Sequence, residues 1–320
     1  MNQQQKVIAL GFFDGVHLGH GALLRRVAER ARERNAVSCA FTFDQSPAAA
    51  LSGGEVPLLT GVEDRLALMK ERYGIQQFVV APFQRLRQMN WRDFVGQYLR
   101  QELGAVHVVA GHDFHFGYRG EGDPSHLAAE CAALGMGCDI IPKVELDHVT
   151  ISSTYIRGLV ADGKMEEAAR FLGHPHCLTR RVVHGQRLGR TIGVPTANLT
   201  IPAGVITPAF GVYAAKVWVL PDYPDHHVCL PGTGPWLAVV NVGVRPTVNP
   251  ALTGVTVEPW ILDFDGDLYG RTIRVEFYAM LRRERKFDSV DALKAEVLRN
   301  AGQTRAYFAA ENNQEGASAQ

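Results

Sequence analysis

Two stretches of this sequence carry residue types and spacings that could do phosphate chemistry. The first, Gly11-Phe-Phe-Asp-Gly-Val-His17-Leu-Gly-His20, directly follows a short apolar run and opens a segment of helical period. In an open α/β sheet, anionic ligands bind at the carboxyl end of a strand beside a helix N-terminus. Gly11 and Gly15 let the backbone come close to a phosphate. His17 and His20, three residues apart, share one face of the first helical turn, where the dipole favours anions and two imidazoles can donate to one phosphate. A glycine turn with two incidental histidines is the plainer alternative, but the complete HxGH at a strand-to-helix junction favours a site. The second stretch, Gly185-Gln-Arg-Leu-Gly189-Arg190-Thr-Ile-Gly193-Val-Pro195-Thr196-Ala-Asn198, follows an apolar run that ends at His184. Its glycines, arginine and Thr/Asn pair offer free backbone amides, a charge and oxygen ligands, the parts of a phosphate and Mg²⁺ site. Taken alone it reads equally well as a hairpin loop.

Two other stretches imitate sites. Gly158-Leu-Val-Ala-Asp-Gly163-Lys164 resembles a P-loop, but Met165 stands where Ser or Thr is required and a helix rather than a strand precedes it, so a helix–turn–helix is expected. Asp263-Phe-Asp265-Gly266-Asp267 has its glycine at the wrong offset for a calcium loop, and Asp265-Gly266 is read as a hairpin turn. Glycines 11, 15 and 19 are spaced by four, which removes a GxGxxG dinucleotide fingerprint.

The elements that must position these residues fall into two patterns. Up to about residue 150, apolar runs at 7–10, 37–43, 78–81, 105–110 and 139–144 alternate with helical stretches near 18–34, 62–72, 91–103 and 125–134, the pattern of a parallel sheet built from βαβ units. One or two helices follow over 152–172. Beyond them, β-type runs at 178–184, 211–220, 237–242, 256–263 and 272–280 are separated by Gly, Pro and Asp, and a helix at 289–300 closes the sequence. The domains expected are 1–176 and 177–308, with a disordered tail at 309–320.

Composition narrows the function classes. Lys plus Arg and Asp plus Glu both number 33, so the net charge is zero and the strong positive field of a duplex-coating protein is absent. An apolar share of 46% supplies two cores and excludes a disordered chain. Five cysteines with no CxxC pair argue against a disulfide framework or a zinc knuckle and suggest reduced thiols. The N-terminal apolar run is too short for a signal peptide or a membrane span, so a cytoplasmic protein is expected, with no nucleic-acid or membrane partner.

Several motifs together carry a resemblance. GFFDGVHLGH, FTFDQSP, AGHDFHFG and ISSTYIR resemble the FMN adenylyltransferase module of bifunctional bacterial riboflavin kinase/FAD synthetases; GRTIGVPTANL, FGVYA, VVNVGVRPTV and VEPWILDFDGDLYG resemble its riboflavin kinase module. The resemblance implies a nucleotidyltransferase-like, Rossmann-like open parallel sheet and a six-stranded Greek-key β-barrel. It implies that His17 and His20 bind ATP phosphates and stabilise the transition state. Gly11, Phe12, Phe13, Asp14, Gly15, Asp113, Ser152, Ser153, Thr154 and Arg157 would then line the ATP and FMN sites. In the second module it implies nucleotide and flavin contacts at Gly185, Gly189, Arg190, Gly193, Pro195, Thr196 and Asn198, with Mg²⁺ at Thr196 and Asn198 and Glu258 as general base. FTFDQSP departs from the FDPHP form of many relatives at Gln45 and Ser46, which leaves the role of the 43–47 loop open.

The chemistry fits without a protein nucleophile. Joining the FMN phosphate to the ATP α-phosphorus, like phosphorylating riboflavin, needs positioning and stabilisation of phosphoryl charge. The expectation is an enzyme that makes FMN from riboflavin and FAD from FMN, using ATP and Mg²⁺. Its rivals are an adenylyltransferase for a pantetheine or nicotinamide phosphate, opposed by the barrel motifs, and a flavin-binding regulator without turnover.

Overall fold

The computed structural model describes residues 4–184, 193–221, 233–244 and 254–318. The chain forms two compact units, Met1–Ser153 and Thr154–Gln320.

In the first unit five parallel strands, β1 (Lys6–Leu10), β2 (Val37–Phe43), β3 (Gln77–Ala81), β4 (Ala105–Gly111) and β5 (Gly137–Ile141), form a sheet in the order β3-β2-β1-β4-β5. Val7, Ile8, Ala9 and Leu10 are all buried, the signature of a central strand covered on both faces. Helix α1 (Leu18–Glu33) turns Leu23, Leu24, Val27 and Ala31 inward, as its periodicity requires. The remaining helices of this unit are α2 (Pro47–Ser52), α3 (Val62–Tyr73), α4 (Phe83–Leu86), α5 (Trp91–Asp93), which continues as a π-helix over Phe94–Glu102, and α6 (Pro124–Ala133). Ile8, Leu10, Phe41, Val108 and Ala110 pack with Phe94, Tyr98 and Leu99 into one core. Chain progression reverses between neighbouring β1 and β4, so their carboxyl ends form the topological switch point where such sheets bind ligands. The fifth strand ends earlier than its apolar run, and a small hairpin, β6 (Glu145–Leu146) with β7 (Val149–Thr150), follows it.

The second unit begins with α7 (Ser153–Asp162, whose first residue closes the first unit) and α8 (Met165–Leu172). The P-loop look-alike is the helix–turn–helix expected: Gly163 turns between them at φ +79°, with the Ala209 side chain and the Met280 methyl filling the space a side chain would need. The change to β pattern near residue 176 therefore lies inside the second unit. Met165, Ala168, Phe171 and Leu172 are buried, and α8 packs on β8 (His176–Arg181) and β13 (Thr272–Arg283).

With β9 (Leu199–Thr200), β10 (Gly211–Leu220), β11 (Thr233–Val244) and β12 (Val255–Ile261), these form an antiparallel six-stranded sheet in the order β8-β13-β10-β11-β12-β9. Past the end of β8 and before β9, Val183 donates its amide to Asn198 O at 2.9 Å, so the outermost strands meet and the sheet nearly closes into a barrel. The two-residue β9 is too short to register as a periodic run. Asp265-Gly266 is not a hairpin turn, because β12 pairs with β11 and β9 whereas β13 pairs with β8 and β10. The helix α9 (Val290–Ser318) runs into the segment expected to be a tail, and Glu311 pairs with Lys216 at 3.2 Å. Among the described residues, no helix is long and apolar enough to cross a membrane. Of the cysteines, Cys39, Cys131, Cys138 and Cys177 are free, while Cys229 lies outside the described residues.

His176 is buried on β8, and loss of hydration, with His174 nearby, lowers its pKa from 6.5 to about 4. The unfolded chain then binds the proton more tightly than the folded one. The stability that His176 contributes is complete above about pH 6.5 and is lost as pH falls toward 4, on the order of 3 kcal/mol in all. Thermal unfolding across this range should show that loss, and His176→Phe should flatten the profile; an equally steep profile in the variant would place the proton uptake elsewhere.

Candidate active sites

At the switch point, the turn from β1 to α1 is held by buried polar groups. The Phe12 carbonyl accepts from Arg65 Nη1 at 2.6 Å and from Thr42 Oγ1 at 2.8 Å. The Asp14 carboxylate accepts the Leu59 and Thr60 amides at 2.8 and 3.2 Å, and the Gly15 amide donates to Thr60 Oγ1 at 3.0 Å. Ser153 Oγ donates to Asp14 O at 3.0 Å. Within the turn Phe13, Gly15 and Val16 all take positive φ, an unfavourable geometry for the two non-glycine residues that the surrounding bonds hold in place.

This turn delivers the two histidines. His17 is the N-cap of α1, and its Nδ1 accepts the His20 amide at 3.2 Å. An Nδ1 that accepts leaves Nε2 as the ring's hydrogen-bond donor. The rings of His17 and His20 stack with centroids 3.6 Å apart and planes 10° apart, and Phe13 meets His20 edge-on at 5.2 Å. His20 Nδ1 is buried without a protein partner. Burial first, then His17 and Arg65, hold the His20 pKa well below 6.5, so this imidazole is neutral at pH 7. The site is thus a pair of stacked imidazoles at a helix N-terminus, that of His20 neutral, suited to donating hydrogen bonds to phosphate oxygens.

The other residues picked from the sequence take distinct places. Phe13 is fully buried and Asp14 nearly so, and both shape the turn from behind. Gly11 leaves room for the Phe13 ring. Asp113 is exposed just beyond the carboxyl end of β4, beside β1 in the sheet. Ser152 and Ser153 end the first unit, with Ser153 tied to the turn. Thr154 and Arg157 lie on α7 in the second unit, where Arg157 Nη2 donates to Thr154 Oγ1 at 2.9 Å. The 43–47 loop is a local scaffold: Asp44 accepts the Phe83 amide, Ser46 caps α2 and Pro47 starts it. Periodicity did not bring out Thr42, Thr60 or Arg65; an arginine within the buried stripe Arg65, Leu66, Leu68, Met69 of α3 was the available signal.

In the second unit, three picked residues converge at the barrel seam. Ala197, between Thr196 and Asn198, donates its amide to Pro259 O at 2.9 Å, which lays this segment along β12 beside Glu258. Asn198 is buried and Thr196 half-buried. Glu258 is half-buried opposite Asn241 of β11, and its Oε1 accepts from Thr256 Oγ1 at 3.3 Å. Alternation along the strands puts Glu258 on the outer barrel face that also carries Val239 and Trp260, which pack beneath Ala301 of α9. Gly193 sits at φ +75° and Pro195 is exposed, whereas Gly185, Gly189 and Arg190 lie outside the described residues. The hydroxyl and amide oxygens of Thr196 and Asn198 form a neutral hard-donor pair of the kind that holds Mg²⁺ together with substrate phosphates. The acidic 263–267 stretch contributes an ion pair from Asp263 to Arg305 at 2.9 Å, and no cluster of acidic, His or Cys side chains among the described residues could hold a metal.

An open parallel sheet with HxGH at its switch point, followed by a nearly closed barrel with a carboxylate beside neutral oxygen donors, defines a two-module nucleotide-dependent transferase. The FAD synthetase family profile matches residues 1–155, and the riboflavin kinase profile matches residues 172–308. A bifunctional riboflavin kinase/FMN adenylyltransferase of Listeria monocytogenes is 35% identical over 95% of this chain and 93% of its own length. That of Escherichia coli K12 is 36% identical over 96% and 94%. A crystal structure from Streptococcus pneumoniae, described as a macrolide-efflux protein, superposes with a TM-score of 0.77 at 30% identity over 95% of both chains. The chain belongs to the bifunctional riboflavin kinase/FMN adenylyltransferase family.

Asp14→Ala would leave the Leu59 and Thr60 amides without their acceptor, a loss of about 3 kcal/mol. Denaturant unfolding of the first unit should show that loss, and wild-type stability in the variant would assign the turn's rigidity to its other bonds.

Proposed function

We propose that the protein makes FMN and then FAD, each from ATP, and that the residues brought together at the two sites divide the work. The family assignment carries both activities: riboflavin is phosphorylated to FMN, and FMN is adenylylated to FAD with release of pyrophosphate. The observation that ties the second reaction to residues is the stacked His17–His20 pair on the helix N-terminus. In adenylyl transfer, an FMN phosphate oxygen attacks the ATP α-phosphorus and the bond to pyrophosphate breaks. Negative charge grows on the phosphoryl oxygens, where the His17 Nε2–H, the His20 ring and the α1 amides stabilise it. Gly11, Gly15, Asp113, Ser152, Ser153, Thr154 and Arg157 belong to the ATP and FMN sites in this reading, with Phe12, Phe13 and Asp14 shaping them.

In the barrel, Glu258 accepts the proton of the ribityl 5′-hydroxyl as that oxygen attacks the ATP γ-phosphorus and the bond from the γ-phosphorus to the bridging oxygen breaks, releasing ADP. Thr196 and Asn198 would hold Mg²⁺, which neutralises phosphate charge when bound. Gly185, Gly189, Arg190, Gly193 and Pro195 complete the nucleotide and flavin loop. Adenylyl transfer is assigned to residues 1–176 and the kinase to 177–308, in an enzyme of the cytoplasm whose partners are riboflavin, FMN and ATP.

Crossed variants test the division. His20→Ala should lower FMN-to-FAD conversion by about 10²-fold, as should His17→Ala, with riboflavin phosphorylation at the wild-type rate. Glu258→Gln should depress riboflavin phosphorylation by roughly 10²–10⁴-fold while FMN-to-FAD conversion is preserved. Chromatographic separation of riboflavin, FMN and FAD reads both fluxes, and a folded Glu258→Gln protein with full kinase turnover would end the general-base assignment.

A further inference from the structure

Arg65 is fully buried on α3, an expensive place for a cation, and its bonds serve the catalytic turn. Nη1 donates to the Phe12 carbonyl at 2.6 Å and to Thr42 Oγ1 at 3.0 Å, while the guanidinium lies over the Phe12 ring at 4.3 Å. Nε and Nη2 are buried with no protein hydrogen-bond partner. The next residue, Phe13, takes φ +60° and sets its ring edge-on to His20, which stacks on His17. A continuous set of contacts thus runs from the guanidinium through one carbonyl and one strained residue to the two imidazoles.

We infer that Arg65 is a positioning residue for adenylyl transfer, holding the Phe12 carbonyl so that the turn presents His17 and His20 as a stacked pair. The inference rests on the adenylyl-transfer function of this unit. A simple scaffold would be met by any neutral donor, but a cation here also acts on His20. His17 on the same helix and Arg65 from α3 are the charged or titratable groups that lower the His20 pKa, alongside burial. Removing the guanidinium charge should therefore raise that pKa as well as loosen the turn.

The test uses the full chain with Arg65→Gln, Arg65→Lys and Thr42→Val. Arg65→Gln should lower kcat for FMN-to-FAD conversion by roughly 10²-fold, the scale of an ångström-level misplacement. Arg65→Lys, which keeps a charge and one donor, should recover part of the loss, and Thr42→Val should lose less than Arg65→Gln. Riboflavin phosphorylation should be unchanged in all three. By NMR, the His20 imidazole should titrate at higher pH in Arg65→Gln than in wild type and stay low in Arg65→Lys. Wild-type adenylylation and an unmoved His20 titration in folded Arg65→Gln would overturn the inference. If Arg65→Gln does not fold, wild-type adenylylation in both other variants would overturn it too. A wild-type chain that makes no FAD would instead fail the functional reading, and the His20 titration would still report whether Arg65 acts on it.

Discussion

The first unit depends on one constraint: the turn between β1 and α1 is buried, so its backbone polar groups need partners within the protein. Thr42 on β2, Thr60 ahead of α3, Arg65 on α3 and Ser153 at the end of the unit provide them, and the Leu59 and Thr60 amides fix the turn's Asp14 carboxylate. Attachment to segments so far apart in sequence over-determines the turn. That is how Phe13 and Val16 remain at positive φ and how His17 and His20 are held stacked. The stability of this region and the geometry of its chemistry are the same set of bonds.

In the second unit the comparable constraint is closure. A six-stranded antiparallel sheet would expose two edges, and the Val183–Asn198 contact joins them. The join places Asn198 on the seam, and pairing of the same segment with β12 through the Ala197 amide and Pro259 O makes Thr196 and Asn198 neighbours of Glu258. Helix α9 covers the apolar part of the outer face, where Val239 and Trp260 lie, and leaves Glu258 half-buried beside it. Glu296 fastens that helix through Arg282 at 3.3 Å and Arg285 at 2.9 Å. Phe287 lies against both guanidiniums in the connection into α9.

Much of this was legible in the sequence, for identifiable reasons. Strand β2 matches its run to the residue, because a strand covered on both faces is mostly apolar, and its two polar residues, Ser38 and Thr42, are hydrogen-bonded. The helices α1, α3 and α6 lie within a residue of their periodic stretches. HxGH was readable because its groups act within one turn of helix, and distance along the chain there equals distance in space. Strand β9 was not, since two residues carry no period, and the turn at Asp265-Gly266 misled because strand pairing is not written in the connecting segment. The pattern changes to strands near residue 176, within the second compact unit. Residues 309–313 carry no apolar stripe because an exposed stretch of helix buries too little to need one.

The sequence by itself determined most of the succession of elements, the HxGH junction and the family, since all three are written in local composition and spacing. Tertiary structure decided which groups support the chemistry. Arg65, Thr42 and Thr60 acquire their roles only when α3, β2 and the segment before α3 come against the turn, and Glu258 joins Thr196 and Asn198 only across a strand pair and a closing seam. The physical reason is range. Helical period and capping act over a few residues, whereas buried hydrogen bonds depend on which strands pair, and the polar groups they must satisfy exist only once the core has excluded water.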